Sequence, residues 1–410
     1  MRPALWSVAI QAAGSAATFC AALLVSWQLG LPAQGEFGLL RTWTDAGVTL
    51  AVLGVPQALL HMQYREAVPV AALRPWVLRY VAVLVGIVAV LMLLAWLWWP
   101  AGMPRRPLVL VAAAAVPLAA AHLLWRSLAL RDVGVVAYAV LTAAPAMLVL
   151  LGLVPLCLVG WREGLAWVLF GAAVVSALGS GWLVGRQAKG TVDTSIAPWS
   201  RRALWAVSVE TGGQSVLTAL SPALVLATAG VLGASLAQIG VVSLGLHVYQ
   251  LFGIAATYIA PMVYDRAARA DRPMSGGELL ALLRADATPR VLLGLVALVL
   301  LAGGLMPLLW PAGVASLLLV AAMAGAGVLS MAVRLLVTLL LARGAFRPLT
   351  LNALGRVLIA AGATIALMRA VPATVAVPLA LLLTEIVMCA WLLRLMQPRP
   401  VTAEPTRAKP

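Results

Sequence analysis

The sequence has little charge. Only 10% of its 410 residues are Asp, Glu, Lys or Arg, whereas 63% are hydrophobic. A soluble globular protein is about 45–50% apolar and about 25% charged. A chain of this length could not bury so much apolar surface in its own core. The composition therefore excludes a soluble protein and indicates that lipid is the solvent.

Cysteine and histidine are also scarce. Cys20, Cys157 and Cys389 are scattered within apolar runs, so they predict neither a disulfide framework nor a metal site. The 3 histidines include no pair with the spacing of metal ligands, and no combination of Ser, His and Asp stands out. A Gly-rich phosphate loop with its Lys is missing as well. We therefore predict no metal, no cofactor and no enzymatic activity.

Long stretches without formal charge predict transmembrane helices. One runs from Arg2 to Glu36, another from Arg79 to Arg105 and a third from Asp132 to Arg162. About 18 apolar residues suffice to span a bilayer, and the runs lack the alternation of barrel strands. We predict an all-α polytopic membrane protein with about twelve spans. They are residues 5–29, 37–60, 77–99, 108–130, 134–159, 164–185, 203–229, 235–263, 289–309, 313–341, 350–368 and 374–395.

The positions of the basic residues predict the orientation. The net charge of +15 lies mostly between spans, so it indicates topology and not a nucleic-acid partner. With both termini in the cytoplasm, most Lys and Arg fall on the cytoplasmic side, as the positive-inside rule requires. The first apolar run is too long for the core of a signal peptide and predicts an uncleaved helix. We expect a multi-pass protein of the bacterial inner membrane.

The predicted spans divide into six plus six. The boundaries are an N-terminal bundle at 1–185, a basic cytoplasmic linker at 186–202, a C-terminal bundle at 203–396 and a cytoplasmic tail at 397–410. The second helix of each half carries a faint common pattern. Its matched positions are Gly38, Arg41 and Asp45 in the first half and Gly240, Ser243 and His247 in the second. Duplicated halves around a central site are a common transporter design.

The segment from Trp27 to Leu59 carries a family resemblance. Its Glu36-Phe37-Gly38 step and its Leu53-Gly54-Val55-Pro56-Gln57-Ala58 step resemble the opening of Wzx-type polysaccharide (O-antigen) flippases. These belong to the multidrug/oligosaccharidyl-lipid/polysaccharide exporter (MOP) superfamily. Members often have more spans or longer loops, so this chain is compact.

The resemblance implies two six-helix bundles in a V, a central cavity and alternating access. It also implies transport of an undecaprenyl-diphosphate-linked oligosaccharide for O-antigen, lipopolysaccharide or other surface polysaccharide. Membrane lipid, a coupling proton or sodium ion, and the polysaccharide polymerase machinery are the partners that such a role would involve.

Charged residues within the predicted spans are the candidates for function, because a charge at the bilayer centre costs about 2.5–3.5 kcal/mol or more. Arg334 and Arg356 fall on neighbouring predicted helices at similar depth. Guanidinium forks match phosphate oxygens bidentately, so both are candidates to hold the diphosphate. Alternatively, each arginine extends to the interface or pairs with a carboxylate such as Glu210.

Arg41 and Asp45 are four residues apart, so they can meet on one helix face. They form either a structural ion pair or a site in which Arg41 contacts sugar or phosphate while Asp45 orients it. His247 is either a hydrogen-bonded core histidine or a substrate contact. Asp45, Glu210 and Glu385 are the candidates for binding a coupling ion.

Two other function classes remain open. A multidrug or small-molecule antiporter of the same superfamily would favour acidic cavity residues over arginine. A membrane glycan polymerase or acyltransferase would need a reactive group of residues on the outer face. No predicted outer loop exceeds about ten residues, which argues against that class.

Overall fold

The computed structural model describes residues 2–64, 66–98, 106–187, 199–269, 288–310, 314–342 and 346–396. Within these ranges the chain is all-α, as predicted, and the helices follow the apolar runs of the sequence. They are α1 (Arg2–Leu29), α2 (Leu31–Val52), α3 (Val55–Tyr64), α4 (Val70–Trp98), α5 (Arg106–Val133), α6 (Val135–Val159), α7 (Gly164–Gln187), α8 (Arg201–Val231), α9 (Leu236–Arg269), α10 (Thr288–Leu309), α11 (Val314–Ala342), α12 (Phe346–Leu367) and α13 (Ala373–Met396).

Most of these helices are long and apolar enough to cross a membrane. Among the described residues, 10 helices meet that condition alone, and the bent pair α2 and α3 makes 11 when counted as one span. The prediction of a multi-pass membrane protein is thus confirmed. The predicted span at 289–309 coincides with α10, but the apolar stretch found there is shorter, at Val299–Leu308.

The predicted helix at 37–60 is divided in the structure. Its first part, α2, already begins at Leu31, and a bend of 48° separates it from α3. Leu53 takes a left-handed conformation with φ 36°, and Gly54 follows with φ 74°. Glycine adopts such angles without strain. The Ser208 hydroxyl of α8 donates a 2.6 Å hydrogen bond to the Leu53 carbonyl and so satisfies a backbone oxygen freed by the break.

The helices pack as two bundles. In the first, α1 packs on α6, α5 on α7 and α4 on α5; in the second, α9 packs on α11, α11 on α13 and α8 on α12. In the most apolar stretch of α9, 78% of the residues are buried, whereas in that of α4 only 6% are buried. Consequently α9 lies in the centre of the protein, and α4 lies at the periphery with many of its leucines and valines exposed.

The bundles meet through α2 and α3 of the first and α8 and α9 of the second. At one end of α2 there is no room for side chains, because a Cβ on Gly35 would lie 2.9 Å from the carbonyl carbon of Leu236 and 3.0 Å from the amide nitrogen of Gly240. A Cβ on Gly38 would lie 2.8 Å from that of Ser243. The two helices therefore approach backbone to backbone at positions of the repeated sequence pattern.

Candidate functional site

A cavity of about 500 Å³ lies between the two bundles. Residues of α1, α2 and α6 line it from the N-terminal bundle, and residues of α9 and α11 line it from the C-terminal one. Its ionisable lining residues, among those described, are Arg41, Asp45, His247 and Arg334. Two arginines and a single carboxylate give the cavity an excess of positive charge.

Arg41 reaches the cavity from α2. Its Nη2 donates to the Thr18 hydroxyl of α1 at 3.3 Å, and its Nε lies 3.9 Å from Oδ2 of Asp45. The Asp45 side chain is 73% exposed and that of Arg41 is 25% exposed. At 3.9 Å this contact is longer than a hydrogen bond. Both sequence interpretations of the pair stay predictions.

His247 lines the cavity from α9 and is also part of the packed core. The ring is buried, and its Nδ1 lies 2.7 Å from the carbonyl oxygen of Ser243, one turn earlier. A carbonyl accepts only, so Nδ1 carries the proton, and in the neutral ring Nε2 is left as an acceptor. The contact fits a hydrogen-bonded core histidine; a substrate role stays a prediction.

Arg334 faces the cavity from α11, across from Arg41. Its Nη1 donates to the carbonyl oxygen of Gly253 on α9 at 3.4 Å. The guanidinium lies directly over Gly253, because a Cβ there would come within 2.9 Å of the Arg334 Cζ. Its buried Nε has no hydrogen-bond partner in the described part of the chain. Each bundle thus contributes one arginine to the same cavity.

Arg356 is not among the described residues that line the cavity; it lies in the C-terminal bundle, only 6% exposed. Its Nη2 donates to Oε1 of Glu385, to the Tyr249 hydroxyl at 3.2 Å and to the Ser330 hydroxyl at 3.2 Å. The Tyr249 hydroxyl in turn donates to Glu385 Oε1 at 2.6 Å. Arg356 therefore has a carboxylate partner, as one of the sequence hypotheses allowed, but the partner is Glu385 and not Glu210.

The other carboxylate candidates lie outside the cavity. Glu385 is 1% exposed and is occupied by Arg356, whereas Glu210 is exposed on α8. Neither Glu210 nor Glu385 is among the described residues that line the cavity, whereas Asp45 is one of them. Their roles in ion coupling stay predictions, as does direct substrate binding by Arg356.

Sequence reasoning missed several residues that shape the site. Thr18 supports Arg41, Gly253 supports Arg334, and Tyr249 and Ser330 surround Arg356. The available signal was a polar or very small residue within an apolar run. That signal is common in this chain and does not show which residues meet.

A second cavity of about 410 Å³ lies between α2 and α5 and is mostly apolar, with Glu36 and Thr44 as its polar lining residues. Leu40, Trp43 and Thr44 contribute to it from α2, so it borders a different face of the helix that carries Arg41 and Asp45. It contains none of the sequence-predicted site residues.

Comparison with known proteins gives no match at the level of sequence. No protein-family profile matches the chain, and no curated protein is similar enough in sequence to be matched.

Solved structures do match. An inward-facing multidrug resistance MATE family transporter of the MOP superfamily has a TM-score of 0.66 at 12% identity, covering 96% of this chain and 98% of that one. The lipid II flippase MurJ, in an inward closed conformation, has a TM-score of 0.67 at 11% identity, covering 97% and 88%.

A third similar structure is a MOP superfamily transporter from Pyrococcus furiosus, described by the reverse polarity of its binding pocket. Its TM-score is 0.56 at 12% identity, covering 96% of this chain and 94% of that one. Identities this low show the fold and leave the function to the site. The chain has the two-lobed helical fold of MOP superfamily transporters and flippases.

Proposed function

We propose that the protein moves a lipid-diphosphate-linked oligosaccharide across the bacterial inner membrane by alternating access, for synthesis of O-antigen or another surface polysaccharide. The observation that carries this proposal is the charge of the central cavity. Arg41 and Arg334 face it from opposite bundles, and Asp45 is the single carboxylate among its described lining residues. Such a cavity favours an anion over a cation.

A diphosphate needs this kind of site to cross the membrane. An isolated charge is very unfavourable in a medium of low dielectric constant unless it is paired and hydrogen-bonded. Guanidinium groups supply both charge and paired donors that match phosphate oxygens. Two arginines on separate bundles can also bind one headgroup together, which would link its binding to the relative position of the bundles.

The rest of the cavity suits the neutral part of such a headgroup. Its lining includes the hydroxyls of Ser15 and Thr142 and the amides of Gln11 and Gln250. Sugar hydroxyls bind groups of this kind. At about 500 Å³ the cavity is within the usual range of small-molecule sites, so it would take the diphosphate and the sugar next to it.

The fold supports the proposal. MurJ, one of the similar structures, is a lipid II flippase, and the Pyrococcus furiosus transporter is described by a reversed pocket polarity. The Wzx-like segment between Trp27 and Leu59 points the same way. We further propose that both termini are cytoplasmic, that Asp45 is the first candidate for a coupling proton or sodium ion, and that the product passes to polysaccharide polymerase machinery.

A multidrug or small-molecule antiporter is the second candidate function. The open carboxylate of Asp45 favours it, because a cationic drug or a coupling cation could bind there. MATE transporters of this fold are named for multidrug resistance. A polymerase or acyltransferase is less well supported, because the similar structures reported above are transporters and flippases.

Deletion of the gene tests the proposal. We expect loss or shortening of a surface polysaccharide, unchanged tolerance of cationic drugs, and recovery with the wild-type chain. The variant Arg41→Gln/Arg334→Gln should not restore the polysaccharide, whereas Arg369→Gln, at an exposed arginine outside the cavity, should do so. Normal polysaccharide together with drug sensitivity would contradict the proposal and favour the antiporter.

A further inference from the structure

Four buried polar side chains meet within the C-terminal bundle, each from a different helix. They are Tyr249 of α9, Ser330 of α11, Arg356 of α12 and Glu385 of α13. We propose that this cluster is a positioning device, in which Arg356 is the fixed counter-cation of Glu385 and the charge balance of the pair leaves Arg334 in place at the cavity. The inference rests on the proposed function, because it assigns Arg334 to the anionic headgroup.

The cluster is connected to Arg334 through two helices. Ser330 precedes Arg334 by one turn of α11, and Tyr249 precedes Gly253 by one turn of α9. Residues four apart share one face of a helix. The Tyr249 hydroxyl lies 3.1 Å from the Ser330 hydroxyl, and Arg334 Nη1 donates to the Gly253 carbonyl. The two helices are therefore linked at two successive turns, and the second link is the one that places Arg334.

Charge balance gives the cluster its effect. Glu385 neutralises Arg356, so the pair adds no net charge behind the cavity, and Arg334 is the arginine that this bundle presents to the cavity among the described residues. Without Glu385, two guanidinium groups would repel each other in a buried region. Without Arg356, the carboxylate would be left unpaired and would attract Arg334 away from the cavity. Loss of Glu385 and loss of Arg356 should therefore both move Arg334 from its position at the cavity.

Unsatisfied atoms support this reading. Glu385 Oε2 and Arg334 Nε are both buried, and neither has a hydrogen-bond partner within the described ranges. When Arg356 is lost, the carboxylate of Glu385 and the guanidinium of Arg334 both need a partner, and they can bind each other. In contrast, the two N–H groups of Arg356 Nη2 are shared among three oxygens of the cluster. Arg356 is thus a poor candidate for direct substrate binding.

The test is binding of farnesyl diphosphate to the purified full-length protein in detergent. It compares wild type, Arg334→Gln, Arg356→Gln, Glu385→Gln and the double variant Arg356→Gln/Glu385→Gln. Farnesol, which lacks the diphosphate, is the control for binding of the tail alone. The unfolding temperature is recorded for each variant, and the Kd is measured on folded protein.

Arg334→Gln should weaken the binding of farnesyl diphosphate at least tenfold, and each single variant of the pair by about tenfold, the size of effect expected from losing one charged contact. The double variant should recover to within about threefold of wild type, because removing both partners leaves no unpaired charge. Farnesol binding should be the same for all five proteins.

Three results would overturn the inference. If Arg356 touches the diphosphate, the double variant binds as poorly as Arg356→Gln. If the cluster only stabilises the fold, the single variants lower the unfolding temperature but leave the Kd unchanged. If wild type does not bind farnesyl diphosphate, or binds it equally well without Arg334, the proposed function itself fails and this inference fails with it.

Discussion

Replacing Gly253 by alanine moves Arg334 without changing any charge. A Cβ at this position would lie 2.9 Å from the Arg334 Cζ and 2.9 Å from its Nη2. Non-bonded carbon atoms prefer about 3.5–4.0 Å, so the guanidinium must move by about 0.6 Å or more. It can do so because it is the flexible end of a long side chain, and the shift breaks its 3.4 Å hydrogen bond to the Gly253 carbonyl.

The lost contact sets the size of the effect. A hydrogen bond from a charged group is worth about 1.5–3 kcal/mol, and the lower end applies because this one is long. We therefore expect the Kd for farnesyl diphosphate to rise about tenfold. The helix preference for alanine over glycine, about 1 kcal/mol, offsets most of the free energy lost with the hydrogen bond, so the unfolding temperature should change little. Weaker binding with a nearly unchanged unfolding temperature is the combined result that we predict.

The assay is a binding titration together with a thermal unfolding curve on the same preparation. Gly362→Ala is the matched control, since a Cβ there meets nothing within 4 Å. It should leave the Kd unchanged and should not lower the unfolding temperature. A Gly253→Ala protein that binds as tightly as wild type would refute the assignment of Arg334 to the headgroup.

The remaining predictions concern the same cavity and its surroundings. Arg334→Lys should retain part of the polysaccharide export and Arg334→Gln almost none, because lysine keeps the charge but loses the bidentate fork. The assay is the amount of surface glycan per amount of membrane protein. Full activity of the Gln variant would contradict the prediction. Gly240→Val should insert but fail to export, since the carbonyl carbon of Leu31 lies only 3.0 Å from a Cβ there. The control Gly230→Ala meets Ile239 at an ordinary 3.7 Å and should remain active; export by Gly240→Val would show that α2 and α9 need not touch. A periplasm-dependent reporter fused after Met396 should be silent, and strong activity would overturn the predicted orientation.

The membrane fold could be predicted because its cause is local. Backbone groups in lipid must pair within their own segment, so every long apolar run becomes a helix whatever surrounds it. The bend after Leu53, in contrast, could not be predicted from the sequence. The carbonyl that the bend frees is satisfied by the hydroxyl of Ser208, which is 155 residues away in the sequence.

The same distinction holds for the candidate site. Arg41 and Asp45 are four residues apart on one helix, and the 3.9 Å contact between them follows from that spacing. Arg334 and Arg356 look equivalent in the sequence, but only Arg334 is found lining the cavity. Arg356 instead contacts Tyr249, Ser330 and Glu385, which are remote from it in sequence. Contacts of this kind cannot be read from the sequence alone.

Comparing the affinity of the cavity for an anion with its affinity for a cation tests the central claim most directly. The Kd values of farnesyl diphosphate and of tetraphenylphosphonium are measured on wild type, Arg41→Gln/Arg334→Gln and Asp45→Asn. We predict that wild type prefers the diphosphate by at least about tenfold, that the double arginine variant loses this preference, and that Asp45→Asn keeps it. Tighter binding of tetraphenylphosphonium by wild type, lost in Asp45→Asn and unchanged without the two arginines, would contradict the account.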